Sequence, residues 1–325
     1  MPRSLARQLV EFGRTIRLEH SLFALPFALG AAMLADPGAP CPDAASLALL
    51  VACMVTARTA AMGFNRVADA ALDARNPRTA EWAIPAGRLR RGTALGLSIA
   101  AAVAFLLCAA LFRPLRGNPW PAILAPAFLA ILFLYSWAKR WTVLAHWILG
   151  ACLGLAPVGA WIALRASLDA LPVVLGAAVL FWTAGFDILY AVHDAAFDRR
   201  EGLKSVPARL GVRGARLVAA ASHVAALALL AAVLVVDAAG AQPVLGRASE
   251  AALVLIAVVL GYRHLSARLP GGTGGLSASA PPEGAPASTS AGTADPRAFF
   301  SWNAAVSMVW LAGVVTDILL GRVHA

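Results

Sequence analysis

Nine apolar stretches, near residues 21-38, 44-64, 93-112, 120-137, 143-164, 171-191, 214-236, 248-265 and 299-320, limit what this chain can fold into more than any other feature. Each approaches the roughly 20 apolar residues that a helix needs to cross a bilayer, where the backbone finds no partner outside its own segment. With 60% of its 325 residues hydrophobic and 14% charged, and a mean hydropathy of +0.74, the chain lies outside the range of soluble globular proteins. It reads as an all-α polytopic membrane protein, a bundle of about nine transmembrane helices. The first stretch follows a segment bearing Arg3, Arg7, Arg14 and Arg17 with no small-residue cleavage site, so it is expected to be a retained span.

A net charge of +10 would suit a nucleic-acid partner, but the cations sort by membrane side. Counting the N-terminus as side one, 21 of the 27 Lys and Arg lie in the N-terminal tail and the loops after spans two, four, six and eight. The opposite side holds five, Arg113, Arg116, Arg165, Arg247 and Arg322, and Arg58 falls inside span two. The positive-inside rule makes the N-terminus cytoplasmic and leaves no need for a nucleic-acid partner. Residues 1-20, Arg-rich with interleaved apolar side chains, are expected to be an amphipathic segment on the inner leaflet. Residues 21-268 form the bundle of spans one to eight. Residues 269-298, rich in Gly, Ser, Thr, Ala and Pro, are expected to be a disordered linker, and 299-325 hold the ninth span and the C-terminus. Cys41, Cys53, Cys108 and Cys152 show no paired spacing, which argues against a disulfide framework or a thiolate metal site.

Against this apolar background two stretches stand out. Asn65, Asp69 and Asp73 step by four residues at the end of span two, and Asp194 and Asp198 repeat the step, each 125 residues after its counterpart, preceded by Asp187 and Tyr190. Residues four apart share a helix face, so each stretch projects a ladder of oxygens. Four spans separate the ladders, so both emerge at the cytoplasmic end. One ladder alone could be a solvated helix face or a capping site. Two that converge would repel unless cations intervened, and Mg2+ is held by one or two carboxylates plus phosphate oxygens. The cations Arg66, Arg75, Arg78, Lys139, Arg199 and Lys204 suit phosphate, and an apolar bundle beneath suits a long tail. The substrate implied is an isoprenyl diphosphate.

These residues resemble the UbiA-type intramembrane prenyltransferases. The resemblance rests on Asn65, Asp69 and Asp73 as NxxxDxxxD, on Asp187 through Ser205 as DxxYxxxDxxxDxxxGxxS, and on Tyr135 to Arg140, similar to the family's YxxxKR. Ile16 to Pro26 and Gly202 to Pro207 look most like the 4-hydroxybenzoate polyprenyltransferase branch, including relatives in the futalosine route to menaquinone. The resemblance implies Mg2+-dependent transfer of a polyprenyl group to an aromatic acceptor such as 4-hydroxybenzoate or a naphthoate, at the bacterial inner membrane. Asp69 and Asp73 would hold one metal and Asp194 and Asp198 another. Asn65, Arg66, Arg75, Arg78, Lys139, Lys204 and Ser205 would bind substrate, and Arg17 or Arg58 an acceptor carboxylate. Asp187, or an Asp of the ladders such as Asp194, would take the phenolic proton, with Tyr190 beside it. One departure is evident: the family commonly continues RTxxRP, and here Trp82 replaces the second Arg. A transporter is the rival class, but it should carry polar groups near the midplane of several spans rather than at one face.

Overall fold

The computed structural model describes residues 4–16, 23–35, 41–266 and 296–323, and all of their regular structure is helical. Arg17 and most of the 269-298 segment lie outside the described residues. Helix α1 (Leu5–Ile16) is amphipathic; Phe12 and Ile16 are buried and pack with Val67, Ala83, Leu89 and Ala94. Helix α2 (Leu25–Leu34), ten residues long with Pro26 in its first turn, is the described part of the first expected span. Proline is tolerated there because its missing N–H would have no helical partner anyway.

Among the described residues, eight longer segments are long and apolar enough to cross a membrane. They comprise α3 (Ala44–Ala68), α5 (Arg91–Ala110) continuing into α6 (Phe112–Arg116), α7 (Trp120–Trp141) and α8 (Ala145–Arg165). After them come α9 (Ala170–Ala191), α11 (Val206–Ala238), α12 (Arg247–Ser266) and α13 (Pro296–Val323). Two short helices, α4 (Ala70–Arg75) and α10 (Ala195–Arg200), carry the outer halves of the two aspartate motifs. Helix α9 packs between α8 and α11, α3 lies on α5, and α2 is held by α8 and α13.

In lipid, helices gain little from hiding apolar surface from one another, so close backbone approach and buried polar contacts must hold them. Gly150 and Gly154 of α8 supply the first. A Cβ at Gly150 would meet the carbonyl of Leu180, and one at Gly154 the carbonyl of Gly176, both on α9. Asp317 of α13 supplies the second: it is buried and accepts N–H bonds from Gly246 (2.8 Å), Ala248 (3.0 Å) and Ser249 (2.8 Å) at the start of α12. Phe23, Phe27, Trp182 and Phe186 form an aromatic chain, with centroid separations of 5.7, 5.4 and 5.2 Å, that ties α2 to α9 below the aspartates.

Gly159, on α8 like Gly154, has open space where its Cβ would be. Alanine is favoured over glycine in a helix interior by about 1 kcal/mol, so Gly159→Ala is expected to leave thermal unfolding in detergent unchanged or raise it slightly. Gly154→Ala, which forces α8 off α9, is expected to lower it by several degrees.

Candidate active site

Both aspartate motifs interrupt their helices at the same place. Asp69 closes α3 with φ −91°, ψ 0° and starts α4, while Asp194 ends a single 3₁₀ turn (Val192–Asp194) with φ −101°, ψ 0° and starts α10. This bridge conformation turns the chain slightly without exposing its amides, and Asp69 N–H still bonds the Asn65 carbonyl at 2.9 Å. Gly202, at φ +68°, takes a left-handed conformation two residues after α10, and Ser205 caps α11 by accepting the Ala208 N–H.

The carboxylates are buried, and side chains from other helices stand against them. Asp69 is 2% exposed and receives Lys139 Nζ on Oδ2 (3.0 Å) and Arg140 Nη2 on Oδ1 (3.1 Å), both from the end of α7. Arg140 also donates to the Ala68 carbonyl at 2.8 Å, the carbonyl freed where α3 ends. Asn65 donates to Asp69 (3.4 Å) and accepts from Arg66 Nη2 (2.6 Å), and Arg66 Nη1 reaches Asp73 at 3.4 Å. Burial pushes the Asp73 carboxyl above its ordinary value, opposed by Arg66 and reinforced by neighbouring Asp69. On the second motif, Arg78 grips Asp194 with two bonds, Nε to Oδ1 (2.8 Å) and Nη2 to Oδ2 (2.5 Å). Its Nη1 donates to the Tyr190 hydroxyl at 3.1 Å. Asn76 donates to Asp194 Oδ1 at 3.0 Å, so the loop after the first motif is bonded to the second. Asp198 is buried, with Ser205 close by.

Between the motifs lies a cavity of about 430 Å³. Arg58, Asn65, Arg66, Tyr135, Asp187 and Tyr190 give it polar walls, and Phe23, Leu149, Leu153 and Phe186 give it an apolar floor. Glu11, Arg14 and Thr15 of α1 close one side, held by the ion pair of Glu11 with Arg88 (3.2 Å). An apolar cavity of about 250 Å³ follows along α3 and α8, with Cys53, Met54 and Ala57 one turn from Arg58, and Leu155 and Ala156 next to Leu153.

Most of the residues expected from sequence thus meet at one end of the bundle. Two are placed differently: Arg75 pairs with Glu201 (2.7 Å) at the surface, and Lys204 donates to the Trp141 carbonyl (2.9 Å). Trp82, the departure from the family pattern, lies with its ring 4.4 Å from the Arg66 guanidinium carbon and 5.6 Å from that of Arg78. It holds both arginines by cation–π contact.

His146 belongs to none of the spaced motifs in the sequence. The structure places its Nδ1 2.7 Å from Asp187 Oδ2, while its Nε2 faces the Val206 N–H at 3.3 Å. Because Nε2 must accept from that amide, the neutral ring carries its proton on Nδ1 and donates it to Asp187. The residues 146 and 187 sit on different helices, and no local spacing relates them. Asn76 was also missed, although a buried amide beside a proline in a cationic loop is a signal.

The four carboxylates offer hard oxygen donors in two separate pairs, and among the described residues no three His, Cys, Asp or Glu converge. That donor set fits Mg2+, which takes one or two carboxylates and leaves its other positions to phosphate and water.

Comparison with known proteins identifies the architecture. The chain is 32% identical over 212 residues to a protoheme IX farnesyltransferase of Granulibacter bethesdensis, covering 63% of this chain and 62% of that protein. It is 30% identical over 228 residues to a 4-hydroxybenzoate octaprenyltransferase of Citrobacter koseri, covering 69% and 76%. The chain therefore spans somewhat less than two thirds of the farnesyltransferase and about three quarters of the octaprenyltransferase. The apo structure of a UbiA homolog from Aeropyrum pernix K1 superposes with a TM-score of 0.75 at 32% identity, covering 93% of this chain and 98% of that one. A UbiA homolog from Archaeoglobus fulgidus bound to GPP and Mg2+ shares the fold, with a TM-score of 0.64 at 21% identity over 95% and 99% of the two chains. A model of the UbiA prenyltransferase family matches residues 24–274, and this chain belongs to that family.

Proposed function

We propose that the protein transfers a polyprenyl group from a polyprenyl diphosphate to an aromatic acceptor of the 4-hydroxybenzoate type, forming a C–C bond in quinone biosynthesis. The observation that carries this reading is the cavity itself, which joins parts of both aspartate motifs to an apolar floor, with a second, apolar cavity lined by neighbouring residues of α3 and α8. The diphosphate lies at the aspartate end and the tail runs along α3 and α8.

Asp69 with Asp73 and Asp194 with Asp198 would hold Mg2+, which would supply positive charge to offset the negative charge of the leaving diphosphate. The homolog bound to GPP and Mg2+ supports this choice of ion. Arg66, Arg78, Lys139 and Arg140 now lie on those carboxylates. Each turns to phosphate oxygens as donor binds, where fixed positive groups stabilise the charge that builds as the C–O bond breaks. The bond's electron pair leaves with the diphosphate. Tyr190, Tyr135 and Phe186 shield the allylic cation from water and face it with π electrons. The acceptor ring attacks it while Asp187, oriented by His146, takes the phenolic proton. Arg58, on the cavity wall about two helical turns below Asn65, receives the acceptor's carboxylate.

The farnesyltransferase relatives raise a porphyrin acceptor. A cavity of about 430 Å³ shared with a diphosphate suits one or two fused rings better than a macrocycle. A dihydroxynaphthoate carries the same pairing of carboxylate and phenol. Incubating membranes with one polyprenyl diphosphate and each acceptor, then identifying products by mass spectrometry, separates the two: prenylated hydroxybenzoate is expected, and product from the naphthoate alone would move the protein to menaquinone synthesis.

Asp69→Asn and Asp194→Asn are each expected to lower transfer on the order of a hundredfold or more, the size of effect seen when one charge-stabilising group is removed. A chelator should abolish wild-type activity and added Mg2+ restore it; full activity in both variants would overturn the metal assignment. His146→Ala is expected to lower kcat with little change in the KM for the diphosphate, and His146→Asn to recover part of it by donating to Asp187.

A further inference from the structure

Lys204 and Ser205 lead to a second feature. They line a groove of about 470 Å³ between the end of α7 and the turn into α11, together with Trp141, Thr142, Arg199 and Arg209. Around the active site the cations Arg66, Arg75, Arg78, Arg88, Lys139 and Arg140 each have a carboxylate partner. Arg199, Lys204 and Arg209 have none among the described ion pairs, and no acidic residue lines the groove. Arg199 Nε and Lys204 Nζ bond only backbone carbonyls, those of Ala195 (3.2 Å) and Trp141 (2.9 Å). Three positive side chains are thus drawn to one concavity with no protein anion to balance them. Like charges so gathered favour an external anion.

The flank of the groove indicates which anion. Trp141 is 57% exposed, and the neighbouring Leu144 and Leu210 are 55% and 52% exposed. Apolar side chains this bare at the end of membrane-spanning helices meet acyl chains, and an exposed indole beside cations is the usual composition of the headgroup layer. A free phosphate would have no use for that flank.

We infer that this groove is a binding site for the phosphate of an anionic phospholipid, held by Arg199, Lys204 and Arg209 with its acyl chains along Trp141, Leu144 and Leu210. Ser205 connects the site to the chemistry, since it lines the groove and lies close to Asp198. An occupied groove therefore steadies the turn that carries the second aspartate pair. The inference does not depend on which acceptor the enzyme uses.

The test titrates the delipidated full chain in detergent with phosphatidylglycerol, phosphatidylcholine or inorganic phosphate, reading bound lipid by native mass spectrometry. Phosphatidylglycerol is expected to be retained in preference to phosphatidylcholine, and millimolar phosphate not to displace it. Each cation near an anionic lipid surface is worth about a fivefold change in binding. Arg209→Gln is accordingly expected to weaken phosphatidylglycerol about fivefold, and Arg209→Glu further, while Arg91→Gln, an exposed cation outside the groove, leaves it unchanged. Equal retention of the two lipids overturns the inference, as does an Arg209→Gln loss no larger than that of Arg91→Gln. Displacement by phosphate would assign the groove to a free anion and overturn the lipid. Unfolding temperatures measured in phosphatidylcholine establish that each variant is folded before its binding is compared.

Discussion

A carboxylate at the end of an apolar bundle loses water on most sides, and it remains charged only where cations or amide donors replace that water. Asp69, 2% exposed, depends on Lys139 and Arg140 of α7; Asp194 depends on Arg78 and Asn76 from the loop after α4. The pairs are therefore also the ties between helices. The end of α7 is fixed to the break between α3 and α4, and the first motif's loop is fixed to the break between α9 and α10. What makes the site electrically tolerable without substrate also sets the two motifs across one cavity. In the proposed reaction the same cations would become phosphate ligands, so binding would exchange partners within a set of charges and leave none stranded in low dielectric.

How much of this could be read from sequence follows from the range of each interaction. Spans were legible because hydropathy is local and lipid enforces it, and every one of the expected stretches contains a described helix. The ladders were legible because a four-residue step maps directly onto a helix face. The break at Asp69 and at Asp194 was not, since nothing in the residue types demands ψ near 0° there. Contacts across 41 residues between His146 and Asp187, or 118 between Asn76 and Asp194, depend on how α8, α9 and the loops are packed. No periodicity encodes them. For the same reason Arg75 and Lys204, which sequence assigns to substrate by type and proximity, are seen on Glu201 and on the Trp141 carbonyl.

Trp82 shows how a missing charge alters such a site without dissolving it. An arginine there would add a donor for phosphate; the indole adds none, yet it packs against Arg66 and within reach of Arg78. Both guanidiniums are thereby kept from wandering, at a contact worth on the order of 0.5–2 kcal/mol. Trp82 leaves Arg66, Lys139 and Arg140 as the cations paired with the first motif's carboxylates. It also lines the cavity beside Arg58 and Arg66 with an aromatic face. In the proposed reaction the substitution would shift the loop's part away from holding the diphosphate and toward stacking an aromatic acceptor ring.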